Sequence, residues 1–236
     1  MYTTKKMKRT NLILSFALLL GGYLSSCESD AYINDGGTAS FHVDMTTYDF
    51  LVSHPKFDSL VAIIDRAGLK ELVNSDITFF ASTNYSVADY VSAKRQKKIV
   101  ELGNENIDFG IKDIATGNLD SLKMYMFDGP INREQMNTEG NYYVSKFGAM
   151  DNIQFMIKLR RTTDYSAFLD HVDYVNFTWV AGTFDSDEPD ESQIPDEDAD
   201  LSYDCQTSGI ITTTGLIHVL SDNHRLMFNR EPIGSN

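Results

Sequence analysis

Ile77-Thr78-Phe79-Phe80-Ala81-Ser82-Thr83-Asn84-Tyr85-Ser86-Val87 is the stretch whose reading decides the fold class. Its first five residues are β-branched and aromatic, with little polar alternation, which predicts a strand packed on both faces. From Val87 to Leu102 the pattern turns helical and ends at Gly103. On the N-terminal side, Phe57, Leu60, Val61 and Ile64, then Leu69, Leu72 and Val73, recur at three- and four-residue intervals. Gly68 interrupts them, so the pattern predicts a helix, a stop and a second helical turn. Pro55 suits the first turn, where its missing N–H is not needed.

Further along, Ile107 to Ala115 is ambiguous, and Leu119 to Phe127 reads as helix passing into strand before the Asp128-Gly129-Pro130 turn. The second half changes period. Tyr142 to Phe147, Ile153 to Leu159 and Tyr174 to Val180 have strand character, with Ile153, Phe155, Ile157 and Leu159 on one face and Gln154, Met156 and Lys158 on the other. Two more strands are expected at Leu216 to Leu220 and His224 to Phe228. Helices first and antiparallel strands later predict an α+β domain.

The chain has 236 residues, 20 Lys+Arg against 34 Asp+Glu, a net charge of −14, and 42% hydrophobic residues, which suits a folded protein. Residues 1–26 have the layout of a secretory signal: a basic stretch ending at Arg9, an apolar run from Leu12 to Leu20, and small residues before a cut. Gly21-Gly22 interrupts the run well short of the roughly 20 apolar residues a transmembrane helix needs. All of Lys5, Lys6, Lys8 and Arg9 lie in this signal, so the remaining 210 residues carry 16 − 34 = −18. A surface of that sign makes a poor nucleic-acid binder, because phosphate binding needs clustered Lys and Arg.

Leu24-Ser25-Ser26-Cys27 resembles the bacterial lipobox, in which Cys27 is acylated and becomes the first mature residue. Multiple acyl chains hold a protein stably on a membrane, whereas one alone is marginal. Glu28-Ser29-Asp30 resembles the export signal of Bacteroidota-type lipoproteins placed on the outer face of the outer membrane; the competing reading is an acidic linker facing the periplasm. Residues 27–40, with Asn34-Asp35-Gly36-Gly37, read as a lipidated flexible tether ahead of a single domain over 41–236.

Two charged segments raise binding questions. Lys94, Arg95, Lys97 and Lys98 form the dense basic cluster of the mature chain, read as a solvated face complementing the helix dipole before Gly103 rather than a patch for acidic partners. In the acidic loop 185–200 nine of sixteen residues are acidic, and Pro189 and Pro195 oppose regular structure. Asp185, Asp187, Asp190 and Glu191 invite a calcium reading, but the EF-hand template fails at Pro189, Asp190 and Asp196, which favours an exposed, mobile loop.

The sequence contains no Gly-x-Ser-x-Gly, His-Glu-x-x-His, Walker, Gly-x-Gly-x-x-Gly or Cys-x-x-Cys motif. His42, His54, His171, His218 and His224 show no local metal spacing. Cys205 reads as a buried small apolar residue. A carboxylate pair for glycan hydrolysis, drawn from Asp164, Asp170 and Asp173, is the enzymatic alternative.

The segment Ile77 to Val87 resembles the first signature of fasciclin domains, with Ser82 in place of the usual proline. Gly215-Leu216-Ile217-His218-Val219-Leu220-Ser221-Asp222 resembles the second, with Thr214 for Asn and Ser221 for Asp. The match spans about residues 45 to 230, and the stretch from Asn137 to Asp204 is longer than the family leads one to expect. The resemblance implies a β-wedge flanked by helices that binds at cell surfaces and is not an enzyme. It implies structural roles for the signature residues Thr83, Asn84, Gly215 and His218: Thr83 and Asn84 as strand-to-helix caps, and His218 as a half-buried, hydrogen-bonded strand residue. The family's Tyr-His pair would fall at Tyr125-Met126, so its histidine is missing. The functional expectation is a surface lipoprotein that docks on an outer-membrane protein, by analogy as an accessory of a SusC/SusD-like nutrient importer, or on a surface polymer as an adhesin. No catalytic residue, resident metal or cofactor other than the calcium weighed above is expected.

Overall fold

The computed structural model describes residues 41–150 and 152–233, so the signal segment, Cys27 and the tether lie outside the described residues. In chain order the elements are β1 (Phe41–His42), α1 (Thr47–Ser53), α2 (Asp58–Ala67), α3 (Lys70–Val73), β2 (Ile77–Ala81), α4 (Asn84–Leu102), α5 (Thr116–Leu119), β3 (Met126–Asp128), β4 (Asn141–Tyr143), β5 (Ile153–Thr162), β6 (Val172–Ala181), β7 (Leu201–Ile211) and β8 (Leu216–Leu220). Short 3₁₀ turns fill several connections. The class is α+β, with helices gathered in the first half and long antiparallel strands in the second.

Local chemistry explains the first half. Pro55 opens a 3₁₀ turn that leads into α2, and Gly68 and Gly103 end α2 and α4 in the left-handed conformation. Leu60, Ile63 and Ile64 bury one face of α2 completely. β2 is buried along its whole length, as its unalternating sequence requires.

The strand order is β3-β2-β8-β7-β6-β5-β4, with β1 beside β7 off this path. β2 runs parallel to β8, β1 runs parallel to β7, and the other pairings are antiparallel. The two ends of this order nearly meet, because the Lys146 N–H just beyond β4 donates to the Met126 carbonyl of β3 at 2.7 Å and Lys146 pairs with Asp128. The curled sheet wraps an aromatic core in which Phe80, Phe155 and Phe177 stack and Phe127 meets all three edge-on. Full burial of such side chains contributes about 1.5–3 kcal/mol each.

Several expectations change. Strand β7 is not among the expected strands: Asp204 and Gly209 interrupt the strand-forming Tyr203, Thr207, Ile210 and Ile211, yet it joins the two halves of the sheet. Its pairing with β8 shifts register between Cys205 and Ile210, and Gly209 takes φ +79° there. The stretch His224 to Phe228 is not a strand: a turn leads to a 3₁₀ segment at Leu226–Phe228, with Met227 at φ 60° and Phe228 at φ 48°. β4 stops at Tyr143, so the predicted run to Phe147 is cut short. Met156 is buried beside Phe155 and Ile157, so β5 is covered on both faces there instead of alternating.

Candidate functional site

The two signature segments lie side by side, because β2 pairs with β8 from Thr78↔Leu216 to Ala81↔Val219. Their exits are tied together as well. Thr83 occupies the N-cap position of α4, but its hydroxyl makes no cap; it donates to Asp222 Oδ1 at 2.8 Å. Asn84 is no cap of its own helix either. Its Oδ1 accepts from the Ser59 N–H at 2.9 Å, in the first turn of α2, and its Nδ2 donates to the Pro55 carbonyl at 2.7 Å. Thr83 therefore joins the ends of two adjacent strands, and Asn84 clamps two helices together.

Gly215 belongs to the β7–β8 turn, where a Cβ would sit 2.5 Å from the Ile77 carbonyl oxygen and 3.3 Å from that of Ser75. Only a hydrogen in place of a side chain lets the strands approach this closely. Thr212 and Thr214 then reach Thr47: the two hydroxyl contacts are 2.8 and 3.1 Å, and the Thr47 N–H donates to Thr214 Oγ1 at 2.9 Å.

His218 is fully buried, not half-buried as its place in the strand suggested. The Gly209 N–H, turned inward by the bulge, donates to Nδ1 at 3.2 Å, so the proton sits on Nε2, which lies 3.0 Å from the Ile131 carbonyl it donates to. Phe80 stacks on the ring at 5.0 Å. Burial lowers the His218 pKa to about 4, keeping the ring neutral.

A second buried polar cluster has no counterpart in the sequence reading. His224 Nδ1 lies 2.7 Å from Ser86 Oγ and 3.4 Å from Ser82 Oγ, and Nε2 lies 3.0 Å from the Tyr125 hydroxyl. Tyr203 and Phe228 meet the imidazole edge-on, and burial lowers its pKa to about 3. The backbone of Met227 and Phe228, both in the left-handed region, favours the charged form of the Tyr125 phenol. Burial nonetheless drives the phenol well above its usual range. Tyr125 thus has a histidine partner after all, 99 residues further along the chain. A serine beside an imidazole resembles a nucleophile and its base, but Ser86, His224 and Tyr125 are all fully buried.

Of the carboxylates weighed as glycan catalysts, Asp173 is held by two hydrogen bonds from Arg161 at 2.8 Å. They lower its pKa below the usual carboxylate range, the wrong direction for a general acid. Asp164 and Asp170 are exposed on the β5–β6 turn. Cys205 is buried in β7, and burial pushes its thiol well above the usual range.

The acidic loop closes on itself. The Asp185 N–H donates to Asp200 Oδ2 at 2.9 Å, the Asp200 N–H donates to Asp185 Oδ2 at 2.8 Å, and the Ala181 N–H donates to Asp200 Oδ1 at 3.0 Å. Arg230 reaches in to the carbonyls of Asp196 and Ala199. This clasp closes the base of the loop, while most of the loop's side chains are exposed, as expected. Asp185 serves the clasp and Asp190 accepts from Ser192, and among the described residues no group of three or more His, Cys, Asp and Glu side chains is placed to hold a metal ion.

The basic cluster of α4 is not a dipole-capping face, since the last turn holds no cation. Lys94 and Lys97 both pair with Glu231, at 2.7 and 3.0 Å, and Arg95 donates to the carbonyls of Ile107 and Glu105. Burial pushes the Glu231 carboxyl up, but the two ammonium groups outweigh it and set its pKa at about 2. These charges staple the C-terminal segment to α4.

Large apolar side chains are exposed on α4 itself, at Val100 and Leu102, and in two further places. Tyr142 (49%), Val144 (71%) and Phe147 (39%) lie along and just after the edge strand β4, and Tyr165, Phe168 and Leu169 lie on the β5–β6 turn.

No family model matches this chain, and no curated protein matches it. Among solved structures, the FAS1 domain pair of the insect cell adhesion molecule fasciclin I aligns over 78% of this chain and 45% of its own, at 9% identity and a TM-score of 0.34. The chain thus spans less than half the length of that structure, and its α+β class rests on its own strands and helices.

Proposed function

We propose that this protein is a non-enzymatic binding module: a fasciclin-like wedge carried on the outer face of the outer membrane by acylated Cys27, docking on an integral outer-membrane protein as an accessory of a SusC/SusD-like nutrient uptake complex. The observation that carries the binding role is the β4 edge. Among the described residues β4 has β5 as its one ladder neighbour, its exit touches β3 through Lys146, and Tyr142, Val144 and Phe147 are exposed within residues 142–147. An edge so sparsely joined to its neighbour and bearing exposed large apolar side chains is a surface that a partner covers. The signature residues support the same reading, because Thr83, Asn84, Gly215 and His218 spend their polar groups or their small size inside the fold.

Among the described residues no helix is long and apolar enough to cross a membrane, so attachment in this reading depends on Cys27. Cross-linking on cells followed by solubilisation should recover the protein with one stoichiometric integral outer-membrane partner. Val144→Asp with Tyr142→Ser should abolish that recovery while leaving the far-UV spectrum intact. Recovery of the wild-type protein alone would refute docking on a protein and favour the polymer-binding adhesin. Cys27→Ser should abolish lipid attachment, and protection from protease on intact cells would place the domain in the periplasm instead.

A further inference from the structure

The surroundings of Tyr142, Val144 and Phe147 select what can cover them. β4 runs antiparallel to β5 with Tyr143↔Phe155, and β5 runs antiparallel to β6 with Ile153↔Ala181. The exit of β4 therefore lies at the end of the sheet from which the acidic loop 185–200 leaves β6. Partial burial raises the Tyr142 phenol, and the carboxylates of Asp187 and Asp200 raise it further, so the loop borders the exposed edge. The Lys158 ammonium of β5 packs over the Phe184 ring at 4.5 Å and fastens the root of the loop to the strand that β4 pairs with.

This border is negative, and the fold does little to balance it. Each of the 16 Lys and Arg side chains among the described residues already has an internal partner: a carboxylate, a carbonyl oxygen or an aromatic ring. None of the carboxylates in those ion pairs belongs to the loop. Arg230 does reach the loop, but it donates to the carbonyls of Asp196 and Ala199. Asp187, Glu188, Asp190 and Glu191 stay exposed. A cleft of about 290 Å³ within the loop is lined by Asp185, Glu188, Asp190 and Asp198 together with Ile194 and Pro195. Such a lining suits a long cationic side chain, with its apolar stem on Ile194 and Pro195 and its charged head on the carboxylates.

Apolar edge and acidic border together narrow the choice of occupant. A second copy of the chain brings the same excess of negative charge, −18 over the mature residues, and is repelled. A purely apolar surface would strip water from the border carboxylates and give them no partner. A protein surface with an apolar centre and Lys or Arg beside it satisfies both parts, and Arg, being weakly hydrated and planar, does so best.

We propose that the β4 edge and the acidic loop form one docking face for a cationic protein partner, whose apolar residues cover Tyr142, Val144 and Phe147 while its Lys and Arg side chains neutralise Asp187, Glu188, Asp190 and Glu191. The proposal rests on the docking reading above, to which it adds the partner's charge.

The first test is recovery of the integral partner from solubilised outer membrane without cross-linker. It should fall at least about tenfold when Asp187→Asn, Glu188→Gln, Asp190→Asn and Glu191→Gln are combined, and by a similar factor for the wild-type protein between about 50 and 500 mM salt. An unchanged melting temperature of the neutralised variant is the check on folding. A photoreactive Phe147→p-benzoylphenylalanine variant should cross-link to a partner peptide of net positive charge. Recovery indifferent to both neutralisation and salt overturns the proposal and leaves docking at the edge standing, and a cross-link to a second copy or to an acidic peptide overturns it as well. The second test needs no cells: the mature chain carrying Cys27→Ser is titrated with a dodecamer of alternating Lys and Leu and followed by amide chemical shifts. Shifts should gather within residues 142–147 and 185–191, weaken in the neutralised variant, and vanish when Glu replaces Lys in the peptide. Shifts scattered over the surface, or equal for the two peptides, overturn the proposal. Failure to recover any partner from cells, with localised peptide shifts, sinks docking on an outer-membrane protein while the charge preference of the face stands.

Discussion

Acidification tests the buried network most directly, because two histidines are locked neutral at the centre of the fold. His218 has a pKa of about 4 and His224 one of about 3, both pushed down by burial. An exposed histidine in the unfolded chain titrates near 6.5. A group whose folded pKa is depressed favours the folded state fully above its unfolded pKa, and that contribution is lost as pH falls below about 6.5. The groups facing these rings do not reverse the sign. His224 meets the hydroxyls of Ser82, Ser86 and Tyr125 and the rings of Tyr203 and Phe228, while His218 feels Glu134 and Arg133 with opposite effects. At pH 5 the unfolded state gains about 2 kcal/mol from protonating each imidazole, while both remain essentially neutral in the fold. The pair should therefore cost about 4 kcal/mol of stability between pH 8 and pH 5, of which about 1 kcal/mol is gone by pH 6.5. That is a large fraction of the 5–15 kcal/mol typical of a domain. Urea unfolding at pH 8, 6.5 and 5, followed by tryptophan emission and circular dichroism, measures the loss. The His224→Gln variant should be weaker at pH 8 but flatter with pH, losing about 2 kcal/mol less on acidification. Equal unfolding free energies at pH 8 and pH 5 in the wild-type protein would refute the burial of both neutral rings.

Gly215→Ala should lower the unfolding free energy by about 2–3 kcal/mol in urea melts, because its Cβ meets the backbone oxygen of Ile77 at 2.5 Å. Tyr125→Phe leaves His224 Nε2 without its hydroxyl partner in a fully buried site, and should cost about 1–3 kcal/mol in urea melts. Asp200→Ala removes the acceptor for the Ala181 and Asp185 N–H groups, so a glutamate-specific protease should cut the loop at Glu188, Glu191 or Glu197 roughly tenfold faster than in wild type. Calcium from micromolar to millimolar should leave the melting temperature unmoved; a rise that grows with concentration would restore a cation site in the loop.

Elements set by local pattern were legible from sequence. The spacing of Leu60, Ile64, Leu69 and Val73 around Gly68, the unbroken apolar run of β2, and the stop at Gly103 each express an interaction within a few residues, and each appears in the fold where the pattern put it. The buried state of Cys205 was legible for the same reason, since its side chain suits an apolar interior. What required tertiary structure were the contacts whose partners lie far apart in the chain. β7 is continuous across Asp204 and Gly209, two poor strand formers, because β6 and β8 pair with it on either side. Thr83 looks like a cap until Asp222, 139 residues away, takes its hydroxyl, and Lys94 and Lys97 look like solvated charges until Glu231 arrives between them. His224 reads as a strand residue until two left-handed residues after it turn the chain and bury its ring against Tyr125. Periodicity records which face of a segment is apolar, but a hydrogen bond to a distant donor leaves no trace in local spacing, so the sequence determined the segments and only the fold decided what their polar side chains hold.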